Sequence, residues 1–358
     1  MITVTTLEEK DHDGWDDYVR SHEDGSFFHL SPWQAICEKG AGLKTAYLIA
    51  KNKGVICGVL PLTYHQSPFF GRAVKSLAFG VEGGPLASNA ETRQALDDKA
   101  WELAKNHGAA YLEYRSLKAQ HQDSPDWHVK DQTYARFRRP ILATEDENIL
   151  ALPNKQRPTV RKGIKAGLTL DFGDDLAEFY RHYSASVHRL GTPIFAKKYF
   201  QALLYFLPQA AREITIIRAP KGVGAEAHGF ASGQSLGALM TFYYHGVALP
   251  YYMGSIPAAR SVAVNDFMLF KQLVRAGSLG CHTYDLGRSK IGTGSYNFKK
   301  KLGYIPENYA YEYRMAAGQN MPDMSPKNPK YQMMIKIWQT MPLFMANIIG
   351  PWVSKDLG

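Results

Sequence analysis

The residue types best suited to chemistry gather in one run, Tyr284–Gly303 (YDLGRSKIGTGSYNFKKKLG). Asp285 ends a strand pattern, Arg288 follows, and a Gly-Thr-Gly-Ser segment leads into Tyr296, Phe298 and Lys299. Backbone amides of such a segment, beside Arg288, Lys290 and Lys299, suit a phosphate or a developing oxyanion. The spacing is not that of a phosphate-binding G-x-x-x-x-G-K-[ST] loop. Composition alone equally allows a tight surface turn followed by a solvated basic strand. Asp285 reads either as a general base at a strand end or as an ion-pair partner of Arg288.

A second cluster is Arg157–Lys165 (RPTVRKGIK), where Arg161, Lys162 and Lys165 fall at spacings that let two or three share one helix face. That face is either a phosphate contact or a solvated edge. In Phe27–Trp33 (FFHLSPW), His29 is a candidate base, although a histidine among aromatics more often serves as a hydrogen-bonding structural group. His228 and His245 carry the same discount. Other chemistries lack their residues. There is no H-E-x-x-H pair for a metal, no G-x-S-x-G nucleophile elbow, and Gly222–Gly224 (GVG) is too short for a dinucleotide loop. Cys37, Cys57 and Cys281 are scattered and suggest neither a zinc site nor a disulfide framework. No metal and no tightly bound cofactor are expected.

These residues must be positioned by a chain of 358 residues, 45% hydrophobic and 21% charged, long enough for two ordinary domains. Its net charge of +9 is concentrated in Arg136–Arg139, Lys155–Lys165 and Lys299–Lys301, a pattern that favours a phosphate-bearing partner. The element order repeats. In the first half a strand over Val55–Thr63, a glycine loop Gly80–Pro85 and a helix over Glu91–Asn106 lead to a strand over Ala110–Tyr114. In the second, strands over Ile214–Arg218, His228–Ser232, Ala238–Tyr244 and Val247–Met253 precede a helix over Asn265–Ala276 and a strand over His282–Leu286. Each half thus passes helix, glycine, and a strand carrying an acid, Glu113 or Asp285. We expect tandem α/β (α+β) domains with mixed central sheets flanked by helices, over residues 1–150 and 151–318. A helical tail occupies 319–358, after a loop at Ala316–Pro329.

No secretory signal and no membrane-spanning stretch are visible, which predicts a cytoplasmic protein. The tail, Tyr331–Val353, reads either as a helix packed on the body or as an interfacial helix lying at the inner membrane surface.

The run Asp285–Gly303 resembles the final block of the FemAB peptidyltransferases, which ends in an acidic strand and a Y-x-F-K element. RPTVRKGIKAG resembles that family's basic stretch at the start of its second domain, FFHLSPW its N-terminal aromatic block, and VEGGP its glycine turn. The likeness spans roughly residues 10–315. More narrowly, Arg189–Phe200 and the tail segment PLFMANIIGPW resemble members associated with exosortase/PEP-CTERM exopolysaccharide systems.

The resemblance implies two tandem GNAT-like N-acyltransferase folds. It implies transfer of an acyl or aminoacyl group from acyl-CoA or aminoacyl-tRNA to an amine of a small-molecule, glycan or peptide precursor. It places Lys299 at the oxyanion, Tyr296 and Phe298 around the pocket, and Arg161 and Lys165 on a phosphate. The chain departs from the acetyltransferase phosphate loop at RSVAVN (Arg260–Asn265), where Ala263 stands in place of a glycine. It also lacks the long charged hairpin of some cell-wall members, which weakens tRNA engagement. The competing reading is a non-catalytic binding protein for anionic glycan, lipid or nucleic acid.

Overall fold

The computed structural model describes residues 1–67, 71–321 and 329–355. The strands are β1 (Ile2–Thr6), β2 (Lys44–Asn52), β3 (Val55–Ser67), β4 (Gly71–Ser76), β5 (Leu86–Ala87), β6 (Tyr111–Ser116), β7 (Trp127–Pro140), β8 (Thr169–Gly173), β9 (Arg212–Arg218), β10 (Ser235–Tyr244), β11 (Val247–Ser255), β12 (Thr283–Lys290) and β13 (Ile305–Met315). The helices are α1 (His12–Ser21), α2 (Pro32–Ala35), α3 (Ala90–His107), α4 (Glu145–Leu150), α5 (Arg157–Lys165), α6 (Leu176–Arg189), α7 (Lys197–Phe206), α8 (Val223–Glu226), α9 (Val264–Ser278), α10 (Gly294–Lys301), α11 (Pro329–Thr340) and α12 (Leu343–Ser354).

The strands form one mixed sheet ordered β1-β2-β3-β4-β6-β13-β7-β12-β11-β10-β9-β8, with β5 paired to β3. The two halves exchange strands. β13, from the end of the second half, lies antiparallel between β6 and β7, while β7, from the end of the first, lies against β12. A single ladder therefore runs through both units.

Both faces of the sheet are covered, which is why its strands read as near-continuous apolar runs. In the first half α3 packs on Leu48, Leu60 and Leu62, and α1 packs on Tyr47, Ile49 and Val59 of the opposite face. In the second half α9 packs on Leu236 and Leu239, and α6 and α7 pack on Met240 and Phe242. Local signals fix the ends. The Asn89 side chain accepts from the Thr92 amide to start α3, and Gly108 at φ 66° closes it.

Each half contains two parallel neighbours that pair over only a few residues: β4 with β6 over Ala73–Lys75, and β11 with β12 over Val247 and Ala248. Beyond those residues the strands diverge. In the first half the gap is filled by the glycine loop, whose Gly83 and Gly84 amides donate to the Arg115 carbonyl. A Cβ on Gly83 would lie 2.5 Å from Leu77 Cβ, a contact that no side-chain rotation relieves, so glycine is needed there. In the second half the gap stays open.

Two expectations are corrected. His228–Ser232 is not a strand but a turn after α8, because Gly229 and Gly233 take positive φ and reverse the chain. The Gly-Thr-Gly-Ser segment is not a free loop, nor is the lysine run a strand. The Thr293 side chain accepts from the Tyr296 amide and starts α10, which carries Lys299. The loop expected at Ala316–Pro329 falls partly outside the described residues.

Candidate active site

The divergence of β11 and β12 opens a cavity of about 270 Å³. Pro250, Tyr251 and Met253 line it from β11, and Leu286, Gly287 and Arg288 from β12. Leu269 of α9 and Ser295, Phe298 and Lys299 of α10 close one side, and Val81 of the glycine loop closes the other. The cavity therefore lies in the sheet where β11 and β12 part, between α9 and α10 and the glycine loop.

β12 holds the gap open with a bulge. Its register with β7 shifts between Asp285 and Arg288, and Gly287 takes φ +64°. Lys299 Nζ donates to the carbonyl oxygens of Leu286 (2.6 Å), Arg288 (3.1 Å) and Gly287 (3.2 Å), so the ammonium clamps the bulge. Its charge also lies 5.4 Å from the centroid of the Phe137 ring. Burial lowers its pKa to about 8, against the pull of Asp285.

Asp285 is buried with both oxygens committed. Oδ2 accepts from Arg136 Nε at 2.8 Å and Arg138 Nε at 2.9 Å, while Oδ1 accepts from the Gly287 amide at 2.7 Å. Its ion-pair partners are thus Arg136 and Arg138, not Arg288. Arg288 instead stacks its guanidinium on Tyr134 (4.4 Å) and Tyr311 (5.6 Å) at the cavity wall.

Arg136 links this group to Glu82 in the glycine loop. Arg136 Nη1 lies 3.1 Å from Glu82 Oε1, and the Tyr309 hydroxyl donates to the same oxygen at 2.8 Å. Burial raises the Glu82 carboxyl above its ordinary range, with Arg136 opposing. Glu82 also borders two larger cavities, one of about 410 Å³ lined by first-half residues and one of about 370 Å³ that Tyr244, Val247 and Leu249 of the second half also line. His29 holds that loop in place. Its Nδ1 accepts from the Ser26 amide, so Nε2 carries the proton and donates to the Gly84 carbonyl at 2.9 Å. Burial depresses His29 to about 4, which keeps it neutral and structural.

The residues expected from sequence divide. Lys299, Arg288 and Phe298 meet at the cavity. Tyr296 stands behind it, edge-on to Phe137 at 5.4 Å. Arg161, Lys162 and Lys165 line none of the cavities described and lie exposed on α5. That helix crosses α9 so closely that a Cβ on Gly163 would be 2.6 Å from Phe267 Cβ. Ala263 caps α9 in the left-handed conformation at φ 54°, the place where the glycine was missed. Glu82, Tyr251 and Val81 were not singled out from sequence, and Arg136 was noted only as part of the basic run Arg136–Arg139. The only signal for Glu82 was its place within the glycine turn.

Residues 154–300 match the family described as an acetyltransferase (GNAT) domain. No curated protein matches the chain. Among solved structures, FemX superposes with a TM-score of 0.67 at 16% identity, covering 93% of this chain and 100% of FemX. A tandem GNAT protein from the clavulanic acid biosynthesis pathway gives 0.54 at 14% identity, covering 90% of this chain and 100% of that one. The C-terminal domain of a putative lysylphosphatidylglycerol synthetase from Agrobacterium fabrum gives 0.55 at 14%, covering 86% and 92%. The fold is that of the tandem GNAT-like proteins, and its second half carries the acetyltransferase match.

Proposed function

We propose that the protein is an N-acyltransferase that moves an acyl or aminoacyl group from acyl-CoA or aminoacyl-tRNA to an amine of a cell-envelope or exopolysaccharide precursor. The observation that carries this reading is the cavity between β11 and β12 with Lys299 in its wall. In this reading the donor's acyl end enters the cavity beside α9 and α10, and the acceptor amine meets it there. The Arg189–Phe200 and tail resemblances support the exopolysaccharide assignment, and the putative lysylphosphatidylglycerol synthetase domain supports an envelope acceptor by its name.

In this reading the acceptor amine attacks the carbonyl carbon of the donor. A C–N bond forms, the C–S or C–O bond to the carrier breaks, and the carrier leaves with the electron pair. Negative charge gathers on the carbonyl oxygen in a buried site, where the Lys299 ammonium is strongly felt. Direct donation to that oxygen exchanges one of its three carbonyl bonds, the 3.2 Å bond to Gly287 being the longest. Glu82 is the base that removes the amine's proton in this reading, since burial raises its carboxyl pKa and it lines a cavity shared with Tyr244, Val247 and Leu249 of the second half. Asp285, tied to two arginines and the Gly287 amide, positions the bulge. Arg161, Lys162 and Lys165, beside the start of α9, receive phosphates of the donor.

Protection against thermal unfolding tests the assignment, because a ligand of the native state alone raises the melting temperature. Acyl-CoAs and charged tRNAs are the probes. One of the two classes protects the wild type, and Lys299→Met abolishes transfer while keeping that protection. Protection by anionic glycan or lipid alone, with neither donor binding, would instead establish the non-catalytic binding protein.

A further inference from the structure

Helix α12 packs in reverse of an ordinary surface helix. Its inner stripe is Ala346, Gly350 and Ser354, all buried and spaced by four residues. Gly350 comes so close to the body that a Cβ there would sit 2.8 Å from the Ile194 carbonyl oxygen. Phe344, Ile348 and Trp352 form a second stripe of the same spacing, offset by two residues and so about 200° around the helix. These side chains are 67%, 66% and 70% exposed. On α11, Met333 and Ile337 are exposed as well. Large apolar residues normally turn inward and small or polar ones outward. Here the small residues face the protein and the large ones face out, as expected of a helix held between a protein and a second apolar phase. Leu343–Ser354 contains no charged residue.

The outer stripe ends at a basic depression. Lys355 lies 5.1 Å from the Trp352 ring centroid and lines, with Lys44, Arg72, His107, Tyr64 and Gln66, a hollow of about 480 Å³. Among the described residues, no carboxylate lines it. Three cations around one hollow suit a phosphate. A second copy of the chain is a poor occupant, since a symmetric contact would bring two such hollows face to face. An anionic bilayer satisfies both features, and the net charge of +9 attracts the molecule toward one.

We propose that the outer face of α12 docks on an anionic phospholipid surface. Phe344, Ile348 and Trp352 enter the boundary between headgroups and acyl chains, and Lys44, Arg72 and Lys355 take headgroup phosphate. This surface is separate from the transfer site and does not depend on its assignment. Among the described residues no helix is long and apolar enough to cross a membrane, so the contact is interfacial.

The test is co-sedimentation of the full chain with vesicles of phosphatidylglycerol and phosphatidylethanolamine, or of phosphatidylcholine alone. The wild type binds the anionic vesicles. Phe344→Ser/Ile348→Ser/Trp352→Ser weakens binding by about 100-fold or more, from the apolar area withdrawn. Lys44→Gln/Arg72→Gln/Lys355→Gln weakens it only on anionic vesicles, by about 100-fold for three headgroup charges. Tyr205→Ser, at another exposed apolar residue, leaves it unchanged. Retained melting temperatures verify the folds. Failure of the wild type to bind, or binding indifferent to the α12 substitutions, overturns the proposal. So does a dimer in lipid-free sedimentation that the α12 substitutions dissolve.

Discussion

At the scale of single residues, the account turns on two groups whose surroundings push their pKa values toward each other. Burial lifts the Glu82 carboxyl, and burial lowers the Lys299 ammonium to about 8. The proposed transfer needs the first deprotonated and the second charged. Activity is therefore gained as pH rises through the Glu82 pKa, and lost as pH rises past about 8, where Lys299 sheds its proton. The profile of kcat/KM against pH is predicted to be a bell with those limbs. Glu82→Gln should cost roughly 10²–10⁴-fold in kcat and erase the acid limb. Lys299→Arg should carry the alkaline limb upward, since a guanidinium does not titrate there. An unchanged acid limb in Glu82→Gln would assign the base elsewhere. Of these residues Lys299, Arg288 and Phe298 were legible, because a lysine and an arginine around a short turn advertise anion chemistry. Glu82 was not, because its partners Arg136 and Tyr309 stand 54 and 227 residues away along the chain. Asp285 was noticed but its partners were not, since the strand pairing of β12 with β7 brings Arg136 and Arg138 to it.

At the scale of elements, β13 is the strand that fastens the two halves together. Its Glu312 accepts from the amides of Gln120 and His121 and pairs with His121 Nδ1 at 3.1 Å, while His121 Nε2 meets Asp97 of α3 at 2.9 Å. The ring stacks on Trp127 at 4.2 Å. Burial opposes charge on His121, but the two carboxylates more than offset it and raise the pKa from 6.5 to about 9. A histidine raised in the folded state stabilises fully below its unfolded pKa, and that contribution fades as pH climbs from 6.5 to about 9. Comparing melting temperatures of the wild type and His121→Gln across pH isolates this term. The variant should be less stable by about 3–5 kcal/mol at pH 6, with the gap narrowing toward pH 9. A gap that stays constant with pH would mean the pair is not ionised. Most element positions were readable, since α3, α9 and the strands around them have apolar runs closed by glycine. The exchange of β7 and β13 was not, because apolar alternation says which face of a strand is buried but not which neighbour it takes.

At the scale of the whole molecule, the two halves share a plan and differ at one place. In each, parallel strands part after a few residues. In the first the gap is stopped by Gly80–Pro85, and in the second it is held open by the β12 bulge and Lys299. One half therefore supplies the open gap and the other a plug whose Val81 lines that gap and whose Glu82 meets Arg136 beside it. The repeat of helix, glycine and acidic strand was visible in the sequence, and it marks the two parting strands. Which gap stays open depends on close contacts such as Gly83 against Leu77 Cβ, which no local pattern reports. The central claim is that the open gap receives the donor. Met253→Trp places an indole in the cavity of about 270 Å³ from its wall, where there is room for the ring but none left for a donor. Isothermal titration of the protecting donor into wild type and Met253→Trp tests this directly. Saturable binding to the wild type and its loss in a variant that still unfolds cooperatively are the expected results. Equal binding to both would place the donor elsewhere and contradict that claim.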